Sequence, residues 1–133
     1  MNQGGMMAKL QVKRIYDAPT DKDGFRVLID RLWPRGVSRE RADIDLWLKD
    51  IAPSTQARTE FGHRPERFAE FTARYRAELD HNAEAVATAL QLLREHGTVT
   101  LLIAARDPEC NHGVVLREYL AEAFERAGNG KIS

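Results

Sequence analysis

Two segments of the chain carry residue types able to do acid–base or anion chemistry. The first is DRLWPRG, Asp30–Gly36. An aspartate between apolar residues at a strand end is costly to bury unless it is paired. Asp30 is therefore either an acid/base or ligand-orienting carboxylate, or one half of a structural salt bridge to a nearby arginine. Arg31 and Arg35 accompany it, and a guanidinium fork suits bidentate binding of carboxylate or phosphate. Trp33 reads as core or as a pocket wall. The second segment is AARDPECNHG, Ala104–Gly113, which reads as a strand–loop–helix junction. Amide donors and the dipole at a helix start favour an anion there. Asn111 is an N-cap or a ligand contact, and His112 has the same two readings.

Other chemistries are demoted by spacing. Cys110 and the four histidines (His63, His81, His96 and His112) have no zinc-ligand spacing. Cys110 and His112 stand two apart at a helix start and so face different ways, against a Cys–His nucleophile. The chain has no G-x-S-x-G elbow, no P-loop and no dinucleotide fingerprint. No metal or nucleotide cofactor is called for by any motif.

These residues need a scaffold. Leu10–Tyr16 alternates apolar and polar residues, as a half-buried strand does. Asp17–Gly24 is dense in turn formers. Phe25–Trp33 contains the short apolar run of a strand buried on both faces. Val37–Ala42 reads as polar loop, and Ile44–Leu48 alternates again as a third strand. Ser54 caps a helix through Phe61, and Pro65 suits the first turn of the next. There Phe68, Phe71, Tyr75 and Leu79 form one apolar face. Asn82 starts a further helix that Gly97 ends. Thr98–Ala105 is the clearest buried strand. Asn111 or His112 opens a last helix, closed by Gly128 and Gly130.

The pattern predicts an α/β sandwich of three layers: a small, mostly parallel sheet of about four strands with helices packed on it. Parallel sheets bind ligands outside the C-terminal ends of their strands. The polar residues expected there are Tyr16 and Asp17 after the first strand and Asp30, Arg31 and Arg35 after the second. Lys49, Ser54, Arg58 and His63 follow the third, and Arg106, Asp107, Asn111 and His112 follow the last. Asp30, Asp17, His63 and His112 are the acid/base candidates. Tyr16, Arg31, Arg35, Lys49, Ser54, Arg58 and Asn111 are candidate ligand contacts.

The length of 133 residues fits one domain, read as 9–133 after a flexible leader at 1–8. The leader is polar and is no signal peptide. A single cysteine points to a reducing, cytoplasmic setting, and no apolar run approaches the roughly 20 residues of a membrane span. Twenty Lys and Arg balance twenty Asp and Glu, which excludes a broad basic coat. The balance is uneven along the chain. Residues 1–41 carry a net charge of +4 and the remainder −4.

The stretch RIYDAPTDKDGFRVLIDRLWPRG (Arg14–Gly36) resembles the opening of the domain-of-unknown-function family 488, in its YeaO-like branch. Trp47 with Lys49, Ala52–Ser54, Arg58, Phe61–His63, Arg74–Tyr75 and Leu101–Leu120 resemble it as well. The likeness covers about Lys9 to Ala127. It implies a small cytoplasmic bacterial or archaeal α/β protein and supplies no activity. In a wider branch of the family, a Cys-His-Arg follows the last strand. Here Asn111, His112 and Gly113 stand at those places. Cys110 is offset by one, which argues against shared thiol chemistry and for a polar binding role. Gly113 also departs from the alanine usual in the close branch.

Three functions fit these residues. The first is binding of, or action on, a small anionic ligand, phosphate- or nucleotide-like, in an Arg/Asp/His pocket. The second is a nucleic-acid-binding or regulatory module, opposed by zero net charge and by the missing helix-turn-helix pattern. The third is a protein-interaction scaffold whose Asp and Arg residues form a purely structural network.

Overall fold

The computed structural model describes residues 6–133. The strands are β1 (Met6–Arg14), β2 (Phe25–Leu28), β3 (Leu46–Trp47), β4 (Thr98–Ile103) and β5 (Gly130–Ile132). The helices are α1 (Arg39–Ala42), α2 (Thr55–Phe61), α3 (Phe68–Asp80), α4 (Ala83–His96) and α5 (His112–Arg126). The α/β class holds, and every pairing in the sheet is parallel. The sheet has five strands in the order β3-β2-β4-β1-β5, rather than about four. The additional strand is β5, at residues read as the glycine-rich end of the last helix. Its three residues are too few for a periodic signal, and its ladder with Met6–Ala8 fixes it. Those three residues, read as part of the leader, are strand. The rest of the leader, residues 1–5, lies outside the described residues.

Local chemistry sets the helix ends. The Ser54 hydroxyl accepts the Ala57 N–H at the start of α2, and Gly62 closes that helix at φ 57°. Asn82 precedes α4 and Gly97 ends it, as the sequence implies. The Asn111 side chain accepts the Val114 N–H at the start of α5. Val37–Ala42, read as loop, instead contains the single turn α1, which Ser38 caps through the Arg41 N–H.

The alternation of strand residues builds two unequal faces. Leu10, Val27, Ile29, Val99, Leu101 and Ile103 pack with residues of α2, α3, α4 and α5 into the main core. On the opposite face, Ile15, Leu28 and Leu102 meet only α1 and its flanking loops, through Val37 and Ala42. Further along that second face the contents turn polar. Asp23 and Arg26 are 3% and 4% exposed. Arg26 donates to the Asp23 carboxylate and to the carbonyls of Asp43 and Ala42. Lys13 donates to both Asp23 oxygens at 3.0 and 3.1 Å. Thr20 donates to the same carboxylate through its N–H and its hydroxyl.

Strand order and layering together set where the sheet end stays open. The chain leaves β2 over the second face, through α1, toward β3. It leaves β4 over the first face, through α5, toward β5. The paths diverge between neighbouring strands, which opens a crevice beyond the C-terminal ends of β2 and β4.

Gly113 sits where α5 meets that sheet. A Cβ there would stand 2.9 Å from Val12 Cγ1 and 3.1 Å from both Ile103 Cγ2 and Asn111 Oδ1. Gly113→Ala is expected to cost about 1–3 kcal/mol, as overpacking does. Chemical denaturation of the variant checks this, and an unchanged midpoint would show that Val12 and Ile103 give way freely.

Candidate functional site

The crevice is an open cavity of about 790 Å³. Asp30 and Arg31 reach it from the end of β2, Ala104–Asp107 from the end of β4, and Cys110–His112 from the start of α5. Arg58 and Phe61 of α2, His63 after it, and Phe71 of α3 form the facing wall. Its volume lies within the roughly 300–1,000 Å³ of small-molecule sites.

Asp30 lies at the deep end. Its Oδ2 accepts the Ala104 N–H at 3.0 Å, which ties the end of β2 to that of β4. The basic side chain beside it is His112 rather than an arginine: Oδ1 stands 3.1 Å from His112 Nε2. The same Nε2 is 3.2 Å from the Ile29 carbonyl and is better aligned with it. Asp30 Oδ1 is therefore buried beside the ring without an aligned donor. The imidazole packs edge-to-face with the Tyr75 ring, ring centres 6.2 Å apart. Tyr75 is fully buried, donates to the Ile51 carbonyl at 2.7 Å and has its phenol raised well above the usual range. Burial is the main cause, with Glu78 and Asp30 adding to it.

Three arginines line the cavity. Arg31 folds back onto main-chain carbonyls, at 3.0 Å to Ala52 and 3.4 Å to Pro53. Arg58 and Arg106 are exposed. None of the three pairs with a carboxylate among the described residues.

The amide donors of the β4–α5 turn are less available than the sequence suggests. Asp107 Oδ1 accepts the N–H groups of Glu109 and Cys110 at 2.9 and 3.0 Å. Those bonds hold the Asp107 carboxyl below its ordinary range. Asn111 is 3% exposed. It caps α5 through Oδ1 and donates through Nδ2 to the Asp107 carbonyl, so it is both N-cap and cavity wall. The Cys110 thiol is pushed up, by desolvation first and then by Asp107 and Glu109, away from thiolate character.

Of the residues placed at strand ends from the sequence, the structure brings Asp30, Arg31, Arg58, His63, Arg106, Asp107, Asn111 and His112 to the cavity. The other five face elsewhere. Tyr16 donates to the Arg35 carbonyl at 3.1 Å under the Arg14 guanidinium. Asp17 and Arg35 are exposed. Lys49 lies over Trp47, 5.0 Å from the ring centre. Ser54 gives both its N–H and its hydroxyl to the Glu78 carboxylate, at 2.9 and 2.6 Å, in addition to capping α2. Arg106 and Asp107 stand directly after the most apolar strand, which is what brings them to the cavity. Among the described residues, no three His, Cys, Asp or Glu side chains gather as a metal site would require. No helix there is long and apolar enough to cross a membrane.

Comparisons with known proteins agree on one relationship. The family described as "Inactive DUF488-N3 subclade" matches residues 9–133. The uncharacterized protein Rv3073c of Mycobacterium tuberculosis is 39% identical over 112 residues, covering 84% of this chain and 93% of the relative. The uncharacterized protein YeaO of Escherichia coli is 38% identical over 111 residues, covering 84% of this chain and 96% of the relative. No solved structure matches the chain.

Proposed function

The chain belongs to the DUF488 family, and on that footing we propose that it binds a small anionic ligand, phosphate- or nucleotide-like, in the cavity between β2 and β4. One observation carries the reading. Arg31, Arg58 and Arg106 line a ligand-sized cavity with no carboxylate paired to any of them among the described residues. Three such cations gathered at one concave surface raise the local potential for anions and offer several forked donors. Asp107 opposes this in part, since its carboxylate lies on the same wall. A concave site also suits a small molecule better than a nucleic-acid backbone, which asks for a basic stripe on an open face.

The family description carries the word "inactive", which favours binding over turnover. The Asp30–His112 pair favours a second reading, acid/base action on the bound anion, because a carboxylate that orients an imidazole is a recurring proton-transfer device.

Thermal-shift and calorimetric titrations with inorganic phosphate and a nucleoside monophosphate test the binding. The expected result is a raised melting temperature in the wild type. Arg58→Ala should weaken affinity about tenfold or more, as the loss of a charge-assisted contact does. No stabilisation by either anion, or full stabilisation retained in Arg58→Ala, would overturn the reading.

A further inference from the structure

The deep wall of the cavity has a chemistry different from its arginine-lined part. His112 Nε2 faces two acceptors and no donor, the Asp30 carboxylate at 3.1 Å and the Ile29 carbonyl at 3.2 Å. Only a hydrogen on Nε2 makes that arrangement favourable, because two lone pairs would otherwise repel a third. In the neutral ring the lone pair therefore sits on Nδ1. Nδ1 makes no hydrogen bond among the described residues, and it is absent from the buried polar atoms that lack a partner. It is thus the accessible nitrogen of a ring that lines the cavity. Asp30 is itself held by the Ala104 N–H, and Tyr75 braces the ring from the side, so the acceptor is fixed in place.

We propose that the occupant is a hydroxylated organic anion, a phosphorylated polyol or sugar: arginine holds its anionic group while a hydroxyl donates to His112 Nδ1. This rests on the anion reading above and names the ligand class for the same cavity. A bare oxyanion fills little of a space of about 790 Å³. The apolar lining from Ala52, Pro53, Phe61 and Phe71 suits the carbon skeleton of such a ligand. Leu32, 67% exposed beside Arg31, adds apolar surface to the same wall. An acceptor that gives up its water to a ligand with no matching donor rejects that ligand, which makes His112 a specificity-determining contact.

The test compares glycerol phosphate with propyl phosphate by calorimetry at pH 8, above the ordinary imidazole range of about 6.5. The two probes share the phosphate and the three-carbon chain and differ in their hydroxyls. Glycerol phosphate is expected to bind about tenfold tighter. His112→Phe, which keeps a ring against Tyr75, should bring the two affinities together. Nitrogen NMR of the wild-type histidine rings gives a measurement that needs no variant. His112 should show hydrogen on Nε2, and its Nδ1 resonance should move with glycerol phosphate and not with propyl phosphate. Equal affinities in the wild type, or hydrogen on Nδ1 of the free neutral ring, would overturn the proposal while leaving the anion site standing. Failure of glycerol phosphate, propyl phosphate and inorganic phosphate alike to bind would overturn the anion reading itself, and this proposal with it.

Discussion

Asp23→Ala is expected to lower the stability of the protein by about 3–5 kcal/mol, the range for breaking a buried ion pair from one side. The substitution strands two cations. Arg26 is 4% exposed and loses its carboxylate, keeping only the carbonyls of Ala42 and Asp43. Lys13 keeps only the Ala18 carbonyl, at 2.8 Å. Thr20 loses the acceptor of both its N–H and its hydroxyl. The same carboxylate sets a pH dependence. Burial acts to raise its pKa, and the hydrogen bonds from Lys13, Thr20 and Arg26 together outweigh burial and bring it down to about 2. A depressed carboxyl contributes stability that is fully present above its unfolded value of 3.8 and is lost as pH falls through about 2. The contribution at neutral pH is about 2 kcal/mol. Urea unfolding at pH 7 and pH 2 measures both effects. The variant should be weaker at pH 7 and lose less than the wild type on acidification. Parallel losses in the two proteins would show that other carboxylates govern the acid transition.

Tyr75→Ala should cost a similar 3–5 kcal/mol, whereas Tyr75→Phe should cost about 1–3 kcal/mol. The alanine variant empties a fully buried position of the main core where the ring packs against Phe71, 5.8 Å between centres. It also removes the aromatic ring beside His112. The phenylalanine variant keeps the ring and leaves only the Ile51 carbonyl without its donor. The difference separates packing from hydrogen bonding, and equilibrium denaturation of both variants reads it. Tyr75→Phe as damaging as Tyr75→Ala would place the larger share in the hydroxyl. Spectrophotometric titration should find the phenol neutral through the ordinary tyrosine range, since burial raises it.

The sequence reading succeeded where one local signal decided the outcome. Ser54, Asn82, Gly97 and Asn111 mark helix ends because capping is a matter of a few adjacent residues. Thr98–Ala105 reads as strand, and Thr98–Ile103 of it is β4, because both its faces are covered. It fell short where a position depends on a distant partner. Glu78 claims Ser54 from 24 residues away. Asp30 pairs with His112 rather than with an adjacent arginine, because the end of β2 lies beside the end of β4. Tyr16, Asp17, Arg35 and Lys49 do follow strands, but proximity to a strand end does not fix where a side chain points. Arg26 lies inside an apolar run that masks it, although alternation with Val27 sends it to the opposite face from the main core.

The pairing of β1 has a consequence for how the chain acquires its structure. Lys9–Arg14 align with Thr98–Ile103, so the first strand made waits for a neighbour about ninety residues further on. Its other neighbour, β5, comes later still. Early segments can close helices on their own, but the middle of the sheet cannot form until nearly the whole chain is present. Such distant pairings put loop closure before the reward of contact and slow the search. The cavity between β2 and β4 is therefore among the last features to appear, and a fragment ending before Thr98 would carry Asp30 without the Ala104 N–H and the His112 ring that flank its carboxylate.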